Sequence, residues 1–495
     1  NSFLIGKRLC FPDSRIPADA ACGRYPGHLV SPACLRSIDL PADSTKQILE
    51  KIQKKMTKLT NIMTTIHYEK EINVKASYDV IVAGSGPAGI CAAVAAARNG
   101  SHVALVERYG VVGGNLTAGY VGPVLGMVGK GTMRDELVNL LGIPENDMIG
   151  ETGKAHDFEH AKLVLAEFVD RENIDVYLQS AVYDVIKEGN AVRGLILATN
   201  EGQFALTASV VIDATGDAVV SYLAGADVEK GREDGLMQPV TLEFTVDGVD
   251  EDKGVICIGD VDDVKLGDER FLDYCKRCAE EGKLPGNLAA VRLHPTVYKG
   301  ERQVNTTQVN GVDITDVKTI FKADLELRRQ MKLLMDFFHH NLPGYENCQC
   351  KSSGTTTGVR ETRRVMGDYI ITAEELAEGK RFEDVIVHNA EFIVDIHNPA
   401  GAGQTEAKIQ YVKPYDLPYR CFIPRKVENL YVAGRCISGT HRAHASYRVM
   451  SICMAMGEAV GVAASLCAAN GCTPRELDVK LLQDTLSAKG IDLYD

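Results

Sequence analysis

A glycine-rich turn between a predicted strand and a predicted helix is the feature of this sequence that points most directly to chemistry. Gly84, Gly86 and Gly89 stand at the spacing G-x-G-x-x-G, after the apolar run 80–83 and before an alanine-rich stretch, 88–98. In such a turn the first glycine allows the sharp bend, the second lets the backbone approach a pyrophosphate, and the third lets helix and strand pack closely. The free N–H groups at the helix N-terminus add an anion site. The pattern predicts a dinucleotide site.

An acidic residue follows at a matching distance. A second predicted strand, 103–106, ends at Glu107, which is 23 residues after Gly84. This is close to the spacing at which a carboxylate binds the hydroxyls of a ribose. Because a carboxylate repels a 2′-phosphate, Glu107 disfavours NADP.

Two adjacent glycines beyond the acid indicate the kind of dinucleotide. Gly113 and Gly114 are followed by Asn115 and Thr117. This arrangement is typical of backbone lying against a flat, extended ligand, which a nicotinamide dinucleotide fold does not require here. The sequence therefore favours a flavin.

The composition limits which partners are expected and indicates a cellular compartment. The 495 residues include 67 acidic and 54 basic ones, a net charge of −13, which argues against nucleic acid as a partner. No apolar run approaches the roughly 20 residues that span a bilayer, and the N-terminus does not resemble a signal peptide. We expect no membrane partner, and the 14 scattered cysteines fit a cytoplasmic location. The pairs Cys275/Cys278 and Cys348/Cys350 lack a second metal-spaced pair, so no metal site is predicted.

The order of predicted elements divides the chain into five segments. Residues 1–75 form a peripheral N-terminal extension, 76–238 the first part of the dinucleotide-binding core, 239–350 a substrate or cap domain, 351–475 the second part of the core, and 476–495 a C-terminal segment. Strands predicted at 176–178, 181–186, 192–198 and 204–207 form a β-meander, and a further strand at 210–212 returns to the sheet. The expected fold class is α/β, with a Rossmann-like dinucleotide-binding domain, a β-meander and an inserted α+β substrate or cap domain.

Four separated motifs together resemble the FAD-dependent oxidoreductase family of the glutathione-reductase-like, two-dinucleotide-fold superfamily. The resemblance covers roughly residues 76–470 and is thin between about 248 and 351. The matching stretches are "DVIVAGSGPAGICAAVAAARNG", "GGNLTAG", "VIDATGDAVVSYLAGADVEKGRE" with "QPVTLEFTV", and "GVRETRRVMGDYIIT" with "LYVAGRCISGTHRAHASYRVMSICMAMGEAVGVAA".

The resemblance implies FAD as cofactor and assigns residues to each of its parts. The pyrophosphate is expected at Gly84, Gly86, Pro87, Ala88 and Gly89, and the adenosine end at Glu107 and Arg108, with Val182 against the adenine. The ribityl chain and flavin edge are expected at Gly113, Gly114, Asn115 and Thr117, with a second contact from Ala214, Thr215, Gly216 and Asp217. The ribityl chain and phosphates are also expected to pass Gly434 and Arg435. The flavin pyrimidine is expected to meet the helix N-terminus near residues 446–450, with Arg448 and Val449 as cofactor contacts.

Three residues are candidates for the chemistry itself. His441 and His444 stand three apart in a turn that the resemblance places near the flavin, and an imidazole is suited to exchanging a proton while a hydride moves. Arg360 belongs to "GVRETRR", which fits either a salt-bridged structural turn or an anion clamp.

Three function classes remain open. The first is a dehydrogenase or reductase that transfers a hydride between flavin N5 and a small organic substrate; the others are a flavin monooxygenase and an FAD-carrying electron-transfer subunit. "GGNLTAGYVGPVLG" lacks a redox cysteine pair, which excludes a disulfide reductase. No second G-x-G-x-x-G follows a strand in the middle of the chain, so electrons are expected to come from, or go to, a separate electron donor or acceptor or the substrate itself. A homo-oligomer is compatible with the sequence.

Overall fold

The computed structural model describes residues 65–143, 153–259, 263–401, 403 and 410–494. Most of the predicted N-terminal extension, residues 1–64, therefore lies outside the described residues. The chain divides into two compact units, residues 1–71 and 72–495, and every helix and strand described below belongs to the second.

The strands are short except at the centre of the main sheet. In chain order they are β1 (Val74–Ala83), β2 (Val103–Val106), β3 (Asp175–Tyr177), β4 (Ala181–Glu188), β5 (Ala191–Thr199), β6 (Gly202–Asp213), β7 (Val228–Lys230), β8 (Phe244–Asp247), β9 (Lys265–Leu266), β10 (Glu269–Arg270), β11 (Leu293–Pro295), β12 (Arg302–Val304), β13 (Gln349–Ser353), β14 (Arg363–Val365), β15 (Val385–Ala390), β16 (Tyr415–Pro418) and β17 (Leu430–Val432).

The α-helices lie mainly between and after these strands. They are α1 (Pro87–Arg98), α2 (Met133–Leu140), α3 (Phe158–Asp170), α4 (Val219–Ala224), α5 (Phe271–Glu280), α6 (Val317–Asn341), α7 (Ala373–Glu378), α8 (His441–Tyr447), α9 (Met450–Asn470) and α10 (Val479–Ala488).

A parallel sheet forms the centre of the fold. Its strands run in the order β3-β2-β1-β6, and β17 pairs with the last three residues of β6. The register aligns the strand ends, because Ala83 of β1 pairs with both Val106 and Asp213, and Asp213 pairs with Val432 of β17. Tyr177 of β3 pairs with Val106, so the carboxyl ends of five parallel strands meet at one edge, which is where ligands bind in open α/β sheets.

The β-meander differs from its prediction in two respects. The predicted strands 204–207 and 210–212 are one strand, β6, because no Gly, Pro or Asn interrupts the chain between them. The predicted strand 176–178 is β3, which pairs parallel with β2 and not with the meander. The meander consists of β4, β5 and the first part of β6, which pair antiparallel.

Two helices rich in small residues pack against each other beside the sheet. A Cβ at Gly457 of α9 would lie 2.0 Å from the Ala88 carbonyl oxygen of α1, and one at Gly461 would lie 2.3 Å from that of Ala92. Glycine at these positions allows the close approach of the two backbones. Helix α9 is long and apolar enough by length and composition to cross a membrane, but it is buried inside the protein along nearly its whole length.

A second, antiparallel sheet carries its own apolar core. Its strand order is β11-β12-β8-β13, and its core includes Phe244, Phe271, Phe337, Phe338 and Tyr345. Helices α5 and α6 contribute to that core. Residues 72–495 form one compact unit, so the domain boundaries predicted at 239 and 350 stay predictions.

One acidic residue of the core is placed at an energetic cost. Glu458 of α9 is 8% exposed, and its Oε2 accepts a hydrogen bond of 2.6 Å from the Met133 N–H at the start of α2. Burial raises the pKa of Glu458 from 4.5 to about 7. The folded-state pKa lies above the unfolded one. The contribution of the protonated Glu458 to the free energy of unfolding is therefore complete below pH 4.5 and is lost as the pH rises through 7.

The variant Glu458→Gln removes this titration. A shift of this size corresponds to about 3 kcal/mol, so we expect the variant's free energy of unfolding, relative to wild type, to rise by about that amount between pH 4.5 and pH 8. Urea unfolding across this range measures the difference. Glu167→Gln, at an exposed position on α3, is the control. A Glu458→Gln difference that stays constant with pH would contradict the assignment.

Candidate functional site

A cavity that opens to solvent lies at the carboxyl edge of the parallel sheet. The N-terminal turns of α1 and α9 border it, and neither helix has a side chain that caps its first turn. Its lining residues are Gly84, Gly86, Pro87, Ala88, Val106, Glu107, Arg108, Tyr109, Gly114, Asn115, Ser180, Ala181, Val182, Ala214, Thr215, Gly216, Val219, Val359, Arg360, Ala433, Gly434, Arg435, Arg448, Met450 and Cys453.

The three glycines of the first turn have different reasons to be glycine. Gly84 has φ +95°, and a Cβ there would lie 2.5 Å from the Ala214 carbonyl oxygen. A Cβ at Gly89 would lie 1.8 Å from the Gly84 carbonyl oxygen, so Gly89 is required by packing behind the cavity wall. Gly86 has ordinary φ and would meet nothing within 4 Å. The protein therefore has room for a Cβ at Gly86, and that space belongs to the cavity.

The Glu107 carboxylate holds the glycine-rich turn against the end of β2. Its Oε2 accepts hydrogen bonds from the Ser85 N–H at 2.8 Å and the Ser85 hydroxyl at 2.6 Å, and its Oε1 accepts one from the Tyr109 N–H at 2.9 Å. Glu107 is buried and also borders the cavity. The predicted ribose-binding acid therefore has a structural task as well.

The predicted flavin-edge stretch lies only partly on the cavity wall. Gly114 and Asn115 border the cavity, whereas Gly113 and Thr117 lie behind it. The Thr117 hydroxyl donates to the Val112 carbonyl at 2.5 Å, and a Cβ at Gly113, where φ is +110°, would lie 2.5 Å from the Thr117 Oγ1. These two residues shape the turn.

The Asp217 carboxylate joins two arginines of the wall. Its Oδ1 lies 2.6 Å from Arg435 Nη2 and accepts from the Thr362 hydroxyl at 3.0 Å, and its Oδ2 lies 3.2 Å from Arg108 Nη2. Burial alone would raise the pKa of Asp217, but the guanidinium groups of Arg435 and Arg108 outweigh it and the pKa is lowered. Asp217, which was predicted to contact the cofactor, lies behind the wall and positions side chains that border the cavity.

Asp213 fixes the neighbouring turn, and the sequence did not single it out as a site residue. Its fully buried carboxylate accepts hydrogen bonds from the N–H and hydroxyl of Thr215 and from the N–H and hydroxyl of Ser221. Burial raises its pKa. These four bonds hold Thr215, and with it the wall stretch 214–216, against the end of β6.

Two buried guanidinium nitrogens on the wall have no acceptor among the described residues. They are Nε of Arg435 and Nε of Arg448. A buried donor left without a partner costs about 1–3 kcal/mol. Arg448 is held from the other side by Asp395, whose Oδ2 lies 3.1 Å from Nη2. The two free Nε–H groups fit a ligand that offers oxygen or nitrogen acceptors.

Arg360 borders the same cavity. Its Nη1 donates to the Pro239 carbonyl at 3.0 Å and to the Thr241 hydroxyl at 2.5 Å, and its Nη2 donates to the Asn305 side-chain carbonyl at 3.3 Å. Burial, and then the charge of Arg448, lowers its pKa. The contact partners of Arg360 come from residues flanking the second sheet.

The two candidate histidines do not reach this cavity. The Nδ1 of His441 lies 2.8 Å from Glu361 Oε1, and His441 borders a different cavity together with Arg232, Arg364 and Arg442. His444 is 1% exposed, and burial lowers its pKa well below the ordinary value. Val449, predicted to contact the cofactor, is the N-cap of α9 and also lies off the wall.

Sequence reasoning missed several residues of the wall. They are Val106, Tyr109, Ser180, Ala181, Val219, Val359, Ala433 and Cys453. Cys453 stands three residues after Met450, which lies in the predicted helix start 446–450. That spacing places two side chains on one helix face and is visible in the sequence. The others lie at strand ends, in turns or at the start of α4, and only the fold determines their neighbours.

Comparison with known proteins agrees with this geometry. The model of a family described as FAD dependent oxidoreductase matches residues 79–486. The soluble pyridine nucleotide transhydrogenase of Marinomonas sp. is 28% identical over 152 residues, 28% of this chain and 30% of the relative. That of Mycobacterium tuberculosis is 35% identical over 80 residues, 16% of each chain. The matches therefore span less than a third of these relatives' length.

Two solved structures are similar over most of the chain. One is a geranylgeranyl bacteriochlorophyll reductase-like protein from Thermoplasma acidophilum, 14% identical, covering 84% of each chain with a TM-score of 0.43. The other is p-nitrophenol 4-monooxygenase from Pseudomonas putida, 11% identical, covering 83% of this chain and 84% of that chain with a TM-score of 0.44.

The residues of the cavity fit FAD, the cofactor of the matched family. The wall offers two uncapped helix N-termini, two buried Nε–H donors without acceptors, and open space above Gly86. Anionic phosphates and the polar edge of a flavin satisfy such donors. The cofactor predicted from the sequence is confirmed by the family match.

The variant Gly86→Val tests where the cofactor lies. The valine side chain fits the protein itself but occupies the space above the turn, so we expect a folded protein that retains less than a tenth of the wild-type flavin. The ratio of flavin to protein absorbance after purification measures this. Gly286→Val is the matched control, because Gly286 also has open space and ordinary φ but is exposed and far along the chain. Normal flavin content in folded Gly86→Val would refute this placement.

Proposed function

This chain belongs to the FAD-dependent oxidoreductase family, and we propose that it transfers a hydride between the flavin N5 of bound FAD and a small organic substrate. The observation that carries the proposal is one cavity bordered both by the glycine-rich turn with Glu107 and by the buried arginines Arg360 and Arg448. FAD, when bound, supplies a two-electron acceptor or donor there.

We propose that the parallel-sheet edge holds the cofactor. The first turn of α1 and Gly86 would bind the pyrophosphate, and Glu107, Arg108 and Val182 the adenosine end. Arg435 would donate its free Nε–H to the ribityl or phosphate oxygens, and the first turn of α9 would face the flavin pyrimidine. Backbone N–H groups fixed at that position stabilise negative charge without having to reorient.

The second sheet is proposed to face the substrate. Arg360 borders the cavity and is anchored by Pro239, Thr241 and Asn305, all within the predicted substrate or cap segment 239–350. The thin family resemblance in this segment is consistent with a region that sets substrate choice. We therefore propose that residues 239–350 form the inserted substrate or cap domain.

A separate electron donor or acceptor completes the proposed reaction cycle. Apart from the main sheet, each paired set of strands in the described part of the chain is antiparallel, which leaves a single parallel dinucleotide-binding unit there. The pyridine nucleotide in the relatives' name makes NADH and NADPH the first candidates to test. A cytoplasmic location and a homo-oligomeric state stay predictions.

Among the predicted catalytic residues, the geometry favours Arg360. It is the one of the three that borders the cavity, whereas the Nδ1 of His441 lies against Glu361, the chain neighbour of Arg360. We therefore propose that Arg360 binds the substrate. The proton-exchange role predicted for His441 or His444 is the alternative.

Anaerobic flavin reduction tests the function. The FAD-loaded protein is mixed without oxygen with a panel of small alcohols, amines and hydroxy acids, and bleaching of the flavin absorbance is followed by stopped flow. We expect at least one substrate class to bleach the flavin without NADH or NADPH. Bleaching only by a pyridine nucleotide, followed by transfer of an oxygen atom from O₂ to the organic compound, would establish the monooxygenase class instead.

The rates of variants distinguish the candidate residues. Arg360→Gln is expected to slow flavin reduction about 100-fold, because it removes a charged group at the reacting end of the cavity. His441→Asn and His444→Asn should keep the rate within about tenfold with FAD bound, because neither imidazole borders the cavity. A 100-fold loss and an altered pH profile in His441→Asn would assign proton exchange to that histidine.

A further inference from the structure

The Arg360 guanidinium is a buried charge on the cavity wall, and its surroundings leave one side of it open. We infer that the substrate carries a carboxylate and that Arg360 is the group that binds it. This inference rests on the proposed function and adds the substrate's chemical class.

Among the described residues, every hydrogen bond that Arg360 donates goes to a neutral acceptor. These are the Pro239 carbonyl, the Thr241 hydroxyl and the Asn305 side-chain carbonyl. They use both hydrogens of Nη1 and one of Nη2. One N–H on Nε and one on Nη2 remain, and donors on these two nitrogens are the pair that binds a carboxylate side-on.

The charge of Arg360 has no close carboxylate partner among the described residues. In the part of the chain that the structure describes, no carboxylate oxygen lies within 4.0 Å of its guanidinium. Asp395 is engaged by Arg448 at 3.1 Å and by His397 at 3.4 Å. A buried charge without compensation is costly, so the arrangement favours an anion in the cavity.

Glu243 is a buried acid whose charge would act on Arg360, but burial raises its pKa and favours its neutral form. It is 3% exposed, and its carboxyl accepts a hydrogen bond from the Gln303 amide. Burial raises its pKa despite the nearby charges of Arg360 and Arg292. If Glu243 is protonated, the positive charge of Arg360 is left to be balanced by an anion in the cavity.

The position of Arg360 assigns the anion to the substrate and not to the flavin. Its anchors flank the second sheet, whereas Arg435, Arg448 and the first turn of α9 already present positive charge from the core that holds the cofactor. A carboxylate of a small organic molecule beside the flavin is the ligand that both remaining Arg360 donors suit.

Binding of simple carboxylates to the FAD-loaded protein tests the inference. Acetate, propionate, lactate, malonate and succinate, and the amides acetamide and propionamide, are titrated while the visible spectrum of the oxidised flavin is recorded. We expect one or more carboxylates to perturb the spectrum saturably and to bind at least tenfold more tightly than the neutral amide of similar shape. Arg360→Gln should weaken that binding about 10- to 100-fold at unchanged flavin content.

Two arginine variants serve as controls. Arg360→Lys keeps the charge but not the paired donors, so its affinity should lie between those of wild type and Arg360→Gln. Arg328→Gln on the exposed face of α6 makes the same change in net charge away from the cavity and should bind carboxylates as wild type does.

Contrary outcomes separate the inference from the proposed function. Equal binding of carboxylates and amides, or unchanged carboxylate affinity in Arg360→Gln, overturns the carboxylate assignment while the flavin chemistry stands. Loss of FAD from Arg360→Gln would show that Arg360 serves the cofactor and would also overturn it. A wild-type protein that binds no flavin would instead refute the proposed function.

The variant Glu243→Gln tests the charge balance separately. If Glu243 is neutral at pH 7, the substitution should change carboxylate affinity by less than about threefold. An ionised Glu243 would already compensate Arg360, and its replacement by glutamine would then tighten carboxylate binding strongly. Such tightening would overturn the view that the Arg360 charge is left to the ligand.

Discussion

The buried carboxylate of Asp217 is the contact on which the cavity depends. It follows β6 and binds Arg108, which follows β2, and Arg435, which follows β17. One side chain thus joins the ends of three parallel strands. Because truncating one partner of a buried ion pair leaves the others uncompensated, this cluster strongly favours one arrangement of the wall. Asp213 and Glu107 act in a similar way, because each buried carboxylate accepts hydrogen bonds from backbone N–H groups of a neighbouring turn.

The electrostatics of the site differ from those of the whole protein. The chain carries a net charge of −13, yet Arg108, Arg360, Arg435 and Arg448 border one cavity together with two helix N-termini. The carboxylates in this region are largely engaged in positioning those groups. A cavity of this sign attracts anions, which agrees with a dinucleotide cofactor and with the proposed carboxylate substrate.

The parts of the site that local spacing determines were predictable from the sequence. The glycine-rich turn and Glu107 follow buried strands at fixed offsets, and the structure places them at one sheet edge. Long-range contacts were not predictable. Arg360 donates to Thr241, which is 119 residues away in sequence. Asp217 lies behind the wall, where it forms ion pairs with Arg108 and Arg435. The meander was predicted wrongly at β6, because two apolar runs without a turn residue between them form one strand. His441 and His444 illustrate the same limit, since their spacing says nothing about which cavity their helix faces.

Flavin binding by the apoprotein tests the central claim, that this cavity seats an entire FAD between the glycine-rich turn and the first turn of α9. Isothermal titration of flavin-free protein with FAD, and separately with FMN, measures stoichiometry and affinity. We expect one FAD per chain and at least 100-fold weaker binding of FMN. FMN lacks the AMP half of FAD, whose phosphate is proposed to bind at the α1 N-terminus and whose adenosine is proposed to bind at Glu107. Equal affinity for FMN, or no uptake of either flavin by a folded protein, would contradict it.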